Sequence, residues 1–217
     1  MTSAPGTRPD DLVTAARAAG VGDARVLEAV GAVPRVGFVP PGETAGAYHD
    51  APLPIPHGQV TTQPSLVAQM VAALELSPSD RVLEIGTGLG WQTALIAQLA
   101  AEVWSVEHWE DIARTARANL ERHGVENAAV VVGDGSLGLP DHAPFDAIVV
   151  AAAFPRVPVP LAEQTVPGGK LVQPIGPGGR DEVTLFTRGA SGLERTASLT
   201  PARFVRLHGA HGFDASE

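Results

Sequence analysis

The hydrophobic positions of this chain follow two spacings, one typical of helices and one typical of short buried strands. Over the first third of the chain, apolar residues recur every three or four positions, as on the buried face of a helix. From residue 81 onward, short apolar runs alternate with amphipathic stretches, which predicts strands and helices in turn. The predicted helices cover residues 10–19, 23–32, 64–76, 90–101, 110–123 and 160–165. The predicted strands cover residues 81–85, 103–106, 129–132, 145–151, 170–174, 182–187 and 202–207.

This order of elements predicts an α/β fold. Strands that alternate with helices form a mostly parallel sheet with helices on both faces, which is a doubly wound arrangement. The last two predicted strands have no helix between them, so we expect an antiparallel edge. We expect a single domain over residues 1–217, with N-terminal helices and a ligand-covering loop in 1–76 and an α/β core in 77–217. The stretch 38–64 is rich in Pro, Gly, His and Asp, and connectors of such length are often functional.

Composition narrows the class of protein. Of the 217 residues, 44% are hydrophobic and 18% are charged, as in an ordinary globular protein. The formal net charge of −9 disfavours nucleic acid as a partner, because a negative surface repels phosphate. The chain has no cysteine, which excludes disulfides and thiol nucleophiles. It shows no membrane-spanning run and no signal peptide pattern, so we expect a cytoplasmic protein without a membrane partner, monomeric and free of metal.

The main chemical signal is the segment 82–90, Val-Leu-Glu-Ile-Gly-Thr-Gly-Leu-Gly, in which an apolar strand runs into a glycine-rich turn. Glycine lets the backbone approach a ligand closely, and in a doubly wound sheet such a turn lies where ligands bind. A dinucleotide-binding loop needs glycine where this chain has Trp91, and a phosphate-binding loop needs Ser or Thr where Leu171 follows Gly169 and Lys170. The order acidic–x–Gly–x–Gly–x–Gly instead resembles class I S-adenosylmethionine-dependent methyltransferases.

Carboxylates accompany three successive predicted strands. Glu84 precedes the glycine turn, and Glu107 ends the second strand, where a ribose-binding acid is expected because a carboxylate accepts both ribose hydroxyls. Asp134 follows the third strand, at the position where the methyltransferase pattern has an acid for the adenine amino group. One such acid alone would be a solvated loop residue, whereas three at successive strand ends favour a cofactor site. The resemblance assigns cofactor binding to Gln63, Glu84, Gly86, Thr87, Gly88, Gly90, Glu107, Asp134 and Gly135.

Further segments resemble the protein-L-isoaspartate O-methyltransferase family. They are residues 28–30, 33–35, 38–40, 47–48, 52–55, 57–59, 62–64, 82–90, 133–135, 143–146, 167–169 and 203–205. The His-Gly-Gln segment, followed by a hydroxyl residue and Pro64, is more selective than the glycine loop. The resemblance implies a seven-stranded Rossmann-like methyltransferase sheet with a rearranged final pair of strands.

The resemblance also implies an activity. The family transfers a methyl group from S-adenosylmethionine to the α-carboxylate of L-isoaspartyl residues in damaged proteins or peptides, and S-adenosylhomocysteine is the second product. The ester closes to a succinimide without the enzyme, and hydrolysis returns some normal aspartate. A carboxylate is already ionised at neutral pH, so catalysis needs alignment and exclusion of water rather than a strong base. The expected catalytic residue is Thr62, and the expected substrate-binding residues are His57, Gly58, Gln59 and Thr61.

Four positions depart from the family pattern. The family usually has Gly, Thr, Ile or Met, and Ser where this chain has Pro56, Val60, Thr61 and Thr62. Thr62 keeps the hydroxyl, and it is equally well interpreted as the N-cap of the helix that follows. These departures concern the acceptor more than the cofactor. They leave two further hypotheses open: a carboxyl methyltransferase that acts on an aspartate of a biosynthetic peptide, and a non-catalytic module that binds S-adenosylmethionine.

Overall fold

The computed structural model describes residues 8–214, so residues 1–7 and 215–217 of the predicted domain lie outside the described part. The helices are α1 (Pro9–Ala18), α2 (Ala24–Ala32), α3 (Pro64–Leu74), α4 (Trp91–Ala97), α5 (Glu110–Arg122) and α6 (Val159–Gln164). The strands are β1 (Leu53–Pro54), β2 (Val60–Thr61), β3 (Arg81–Ile85), β4 (Glu102–Glu107), β5 (Ala128–Val132), β6 (Phe145–Val150), β7 (Thr165–Ile175), β8 (Asp181–Gly189) and β9 (Gly192–Ala202). Among the described residues, no helix combines the length and apolar character needed to cross a membrane.

Seven of these strands form one sheet, in the order β5-β4-β3-β6-β7-β8-β9. The pairs from β5 to β7 are parallel, and β8 and β9 join antiparallel at one edge. The structure therefore confirms the predicted doubly wound sheet with an antiparallel edge. Successive strands run outward from β3 in one direction and from β6 in the other, so the strand order reverses between them. Ligands of doubly wound sheets bind at such a reversal, beyond the carboxyl ends of the strands.

Both faces of the central strands are covered, which explains why most of their residues are apolar and buried. Because side chains alternate along a strand, Val82 packs in a cluster with residues of α1 to α4, whereas Leu83 packs on the other face with Leu161 of α6. All three side chains are essentially inaccessible to solvent. The burial fixes the register of β3 and, with it, the position of the glycine turn that follows.

Two predicted elements differ from the structure. The helix predicted over 90–101 ends at Ala97, because the chain turns there and Asn127 binds the carbonyl groups of Ala97 and Ala100. The strand predicted over 202–207 is wrong, because the last strand is β9 (Gly192–Ala202). That strand is a half-exposed edge and carries a weak apolar pattern. Segment 203–207 is apolar for another reason: Phe204 and Leu207 are buried beside the end of β6.

The connection between α2 and α3 is more ordered than its composition suggests. It contains short 3-10 turns and a small antiparallel hairpin, in which β1 and β2 pair Leu53 with Thr61. The chain at the tip of this hairpin, residues 55–62, lies over the glycine turn at the carboxyl ends of the sheet strands. The hairpin segment thus lies beside the glycine turn, whereas a covering role for residues 1–76 as a whole stays a prediction.

Candidate active site

One cavity of about 400 Å³ lies at the point where the strand order reverses. Three stretches form its walls: the hairpin segment 55–62, the glycine turn with the end of β4, and the segment 205–208. Of the residues predicted for the site, those that line the cavity are His57, Gln59, Thr61, Thr62, Gly86, Thr87, Gly88, Glu107 and Gly135. Those that lie outside its lining are Gly58, Gln63, Glu84, Gly90 and Asp134. The predicted residues therefore divide into those that line the cavity and those that lie behind or beside its lining.

The glycine turn adopts backbone angles that favour glycine. Gly86, Gly88 and Gly90 have φ values of 92°, 56° and 94°, in the left-handed region. A Cβ at Gly90 would approach the Leu120 side chain of α5 at 3.3 Å, whereas one at Gly88 would meet little more than Ile55 at 4.0 Å. Gly90 thus serves the packing of the helix against the turn, and Gly88 leaves its backbone open to the cavity.

Glu107 joins the turn to the end of β4. One carboxylate oxygen accepts a hydrogen bond from the Gly88 N–H at 2.9 Å, and the other accepts one from the Trp109 N–H at 3.1 Å. The residue is buried and lines the cavity. A carboxylate oxygen can accept more than one hydrogen bond, so Glu107 can hold the turn and still accept hydrogen bonds from a pair of hydroxyls.

Glu84 lies beneath the turn rather than in the cavity. Its carboxylate accepts hydrogen bonds from Gln92 Nε2 at 2.9 Å, Thr93 Oγ1 at 2.5 Å and Ser105 Oγ at 2.6 Å. Burial raises the pKa of Glu84 to about 7, with a smaller contribution from the negative charge of Glu107, although the three hydrogen bonds oppose the rise. The geometry makes Glu84 a support of the turn from below.

Asp134 holds the far end of the chain against the sheet. One carboxylate oxygen accepts hydrogen bonds from the backbone N–H and hydroxyl of Ser136, and the other accepts one from the Ala210 N–H at 2.7 Å. Burial on its own would raise the pKa of Asp134, but these hydrogen bonds and the nearby His108 lower it below its usual range. Next to it, Gly135 lines the cavity, and a Cβ there would lie 2.4 Å from Ile85 Cγ2.

The hairpin is fastened to the start of α5 through His57. Its ring stacks on Trp109 with centroids 3.9 Å apart and an angle of 2° between the planes. Its Nε2 lies 2.9 Å from a carboxylate oxygen of Asp111, and this hydrogen bond lowers the pKa of that carboxyl. His57 itself has a φ of 60°, which is uncommon outside glycine. The contacts of His57 with Trp109 and Asp111, together with its strained backbone, hold the hairpin against the start of α5.

The two threonines after the hairpin tip have different surroundings. Thr61 Oγ1 accepts hydrogen bonds from Arg35 Nη2 at 2.9 Å and from the Leu53 N–H at 3.0 Å. The Thr62 hydroxyl has no hydrogen-bond partner among residues 8–214, and Thr62 lines the cavity. The interpretation of Thr62 as an N-cap is wrong, because Gln63 occupies that position in α3.

The cap itself comes from a residue that the sequence analysis did not consider. One oxygen of Asp50 accepts a hydrogen bond from the Ser65 N–H at 2.8 Å, and the other accepts one from Gln63 Nε2 at 2.9 Å. Gln63 therefore points away from the cavity, toward the first turn of α3. A carboxylate thirteen residues before the N-cap residue Gln63 carries no local sequence signal of capping, since capping motifs join neighbouring positions. Arg35 was missed as a site residue for the same reason, because segments far apart in sequence bring it to the cavity.

The comparison with protein families settles the relationship of the chain. A family model described as Protein-L-isoaspartate(D-aspartate) O-methyltransferase matches residues 7–212. The chain belongs to this family. A protein-L-isoaspartate O-methyltransferase of Methanoculleus marisnigri is 52% identical over 198 residues, covering 91% of this chain and 89% of the relative. One from Anaeromyxobacter dehalogenans is 50% identical over 190 residues, covering 87% of this chain and 91% of the relative.

Solved structures of this family share the fold. A protein-L-isoaspartate O-methyltransferase superposes with a TM-score of 0.82 at 29% identity, covering 94% of this chain and 67% of that one. A Plasmodium falciparum structure in complex with S-adenosyl-L-homocysteine has a TM-score of 0.79 at 21% identity, covering 93% of this chain and 99% of that one. At that identity the second comparison shows the fold alone. It agrees with the Rossmann-like methyltransferase sheet expected from the resemblance.

Proposed function

We propose that this protein transfers a methyl group from S-adenosylmethionine to the α-carboxylate of L-isoaspartyl residues in damaged proteins and peptides. The observation that carries the proposal is the composition of the cavity at the carboxyl ends of the strands. The glycine turn and Glu107 form one wall, and Thr62, whose hydroxyl has no hydrogen-bond partner among residues 8–214, lines the same space. A methyl donor and a carboxylate acceptor must meet in one water-poor space for direct transfer. Membership of the family supports the same conclusion.

The residues present fit S-adenosylmethionine. Gly135 and Gly88 leave backbone surface that a side chain would cover, and Glu107 offers carboxylate oxygens to a ribose. We propose that these residues, with Gly86 and Thr87, hold the cofactor, while Glu84 and Asp134 support them from outside the cavity. When bound, the cofactor supplies an electrophilic methyl group, so that a carbon–oxygen bond forms at the acceptor as the carbon–sulfur bond breaks.

The chain then needs to orient the acceptor and to exclude water. We propose that Thr62 donates a hydrogen bond to the acceptor carboxylate and acts as the catalytic residue in this limited sense. His57, Gln59 and Thr61 line the hairpin side, where the acceptor peptide enters, and Gly58 shapes the tip. The acceptor is already an anion at neutral pH, so no residue has to remove a proton from it. The ester then closes to a succinimide without further help from the protein.

The test uses labelled S-adenosylmethionine and two peptides that differ only in isoaspartate versus aspartate at one position. We expect base-labile methyl ester on the isoaspartyl peptide alone. The Gly88→Arg variant is the matched control, because a long side chain there would fill the open face of the turn, and it should lose both cofactor binding and label. Label on the aspartyl peptide alone would support peptide tailoring instead. Cofactor binding without label on either peptide would support a non-catalytic module.

The expected cytoplasmic location, monomeric state and lack of metal stay predictions. Among the described residues, no three His, Cys, Asp or Glu side chains are grouped as metal ligands. Light scattering with the purified chain would test the oligomeric state. Elemental analysis of the same sample, together with methyl transfer after treatment with a chelator, would test the metal.

A further inference from the structure

A buried arginine, Arg35, lies beneath the hairpin formed by β1 and β2. Arg35 is 1% exposed, and it lies among the residues that line the cavity. Its Nη1 donates hydrogen bonds to the carbonyl groups of Ala47 and His49, and its Nη2 donates to that of Ala51. Its remaining recorded hydrogen bond, at 2.9 Å, goes to the hydroxyl of Thr61. The guanidinium thus ties the loop 47–51 to the second strand of the hairpin.

The charge of Arg35 has no hydrogen-bonded counter-ion in the described part of the chain. No carboxylate there forms an ion pair with it, and the carboxylate of Asp50, which acts on it through space, accepts hydrogen bonds from Gln63 Nε2 and the Ser65 N–H instead. Burial lowers the pKa of Arg35 to about 10, so the side chain remains a cation at neutral pH. A buried cation is costly when it is not paired. Carbonyl groups reduce that cost, but an anion in the adjoining cavity would reduce it further.

Thr61 connects this charge to the cavity. Its Oγ1 accepts two hydrogen bonds, from Arg35 and from the Leu53 N–H, so both lone pairs are in use. The hydroxyl can therefore act toward a ligand only as a donor. Its proton has no acceptor among residues 8–214, and the residue lines the cavity. A donor that itself accepts a hydrogen bond from a cation is polarised and binds an anion more strongly.

We propose that Arg35 and Thr61 form a relay that selects an ionised carboxylate over a neutral acyl group. Arg35 is a positioning residue in this relay, since its charge acts through the Thr61 hydroxyl, which contacts the acceptor. The inference rests on the proposed function and deepens it by naming the residues, Arg35 and Thr61, that would distinguish the ionised carboxylate from its amide. The same relay lowers the affinity for the methyl ester, because methylation removes the charge that Thr61 recognises. Product release is thereby favoured.

The test compares two peptides that differ in one group. One carries the isoaspartyl α-carboxylate, and the other carries a carboxamide in its place. Their affinities are measured by calorimetry in the presence of S-adenosylhomocysteine. We expect the wild-type protein to bind the carboxylate peptide about 10- to 100-fold more tightly, the range for a hydrogen bond to a charged group. Thr61→Val removes the hydroxyl at nearly equal volume and should abolish most of this preference, and Thr61→Ser should restore it.

Two controls separate the relay from a merely structural role. Thr14→Val removes an exposed hydroxyl that bonds to Asp10 on α1, and it should leave the preference unchanged. Thermal unfolding and cofactor affinity of each variant report whether the hairpin is intact. If Thr61→Val weakened binding of both peptides equally, or if the wild type did not distinguish them, the relay would be wrong. If the proposed function itself were wrong, the wild-type protein would transfer no methyl group to the isoaspartyl peptide, which is a different result.

Discussion

Replacement of Glu84 by glutamine tests the energetics of the glycine turn. The carboxyl group is fully buried, and burial raises its pKa from a usual value of 4.5 to about 7. Each tenfold change in proton affinity is worth about 1.4 kcal/mol, so the ionised form costs about 3 kcal/mol of stability relative to the protonated form. Glutamine has the same shape as glutamic acid and carries no charge. Its amide can keep the bond from Gln92 and donate to Thr93 and Ser105, whose hydroxyls can turn.

The sign of the pH dependence follows from the raised pKa. Between the unfolded and folded values, the folded chain holds a proton that the unfolded chain has lost. The stabilising contribution of protonated Glu84 is therefore complete below about pH 4.5 and is lost as the pH rises to about 7. Asp111, Glu102 and Asp134 have lowered pKa values, so their contributions are lost at more acidic pH and do not overlap this window.

The assay is urea unfolding of the wild type and Glu84→Gln across this window. We expect the difference in the free energy of unfolding between the two proteins to grow with pH, by up to about 3 kcal/mol in favour of the variant. Subtracting the curves removes every titration that the two proteins share. A difference that does not change with pH would refute the argument, since Glu84 would then have its ordinary pKa. A variant that is less stable at every pH would show that the three hydrogen bonds require an ionised acceptor.

Three further predictions concern the cavity walls. Thr62→Val should lower the rate of methyl transfer about 10-fold or more without changing cofactor affinity, because one hydrogen bond to a charged group is lost, whereas Thr62→Ser should retain activity. If Thr62→Val and the wild type transferred methyl groups at the same rate, Thr62 would have no catalytic role. Gly135→Ala should lower stability by about 1–3 kcal/mol in thermal unfolding and weaken cofactor binding, because its Cβ would overlap Ile85, whereas unchanged values would mean that β3 can shift. Asp111→Asn should raise the KM for the acceptor peptide and leave cofactor affinity unchanged, because His57 loses its carboxylate partner. If only cofactor affinity changed, the hairpin would serve to bind the cofactor rather than the acceptor peptide.

The parts of the molecule that could be predicted are those set by local pattern. The mostly apolar sequences of β3 and β6 identify buried parallel strands, and the glycine turn follows β3 directly. The edge strand β9 could not be predicted in the same way, because one exposed face leaves it with a polar sequence. The segment that follows it has the alternating pattern of a strand, but its buried residues Phe204 and Leu207 instead pack beside the end of β6.

The site shows the same division. Glu107 and the glycines were found because the strand ends and the motif spacing place them at one edge of the sheet. Arg35 was not found, since its hydrogen bonds to Ala47 and Thr61 join residues that are far apart in sequence. Sequence also placed Glu84 and Asp134 with the cofactor residues, whereas the structure puts both outside the cavity lining. Spacing predicts which strand end a side chain belongs to, but packing decides whether it points at the ligand.

The cavity wall formed by residues 205–208 is among the last parts of the given sequence to be synthesised at the ribosome. Its anchors are the Asp134 carboxylate, which binds the Ala210 N–H, and the backbone bonds that join Leu207 and Val205 to Ala153. A nascent chain emerges from its N-terminus, so the hairpin and the glycine turn can fold before this wall exists. A chain halted after β9 would contain every strand of the sheet and an incomplete ligand cavity. Prematurely terminated copies would therefore lack one wall of the cavity.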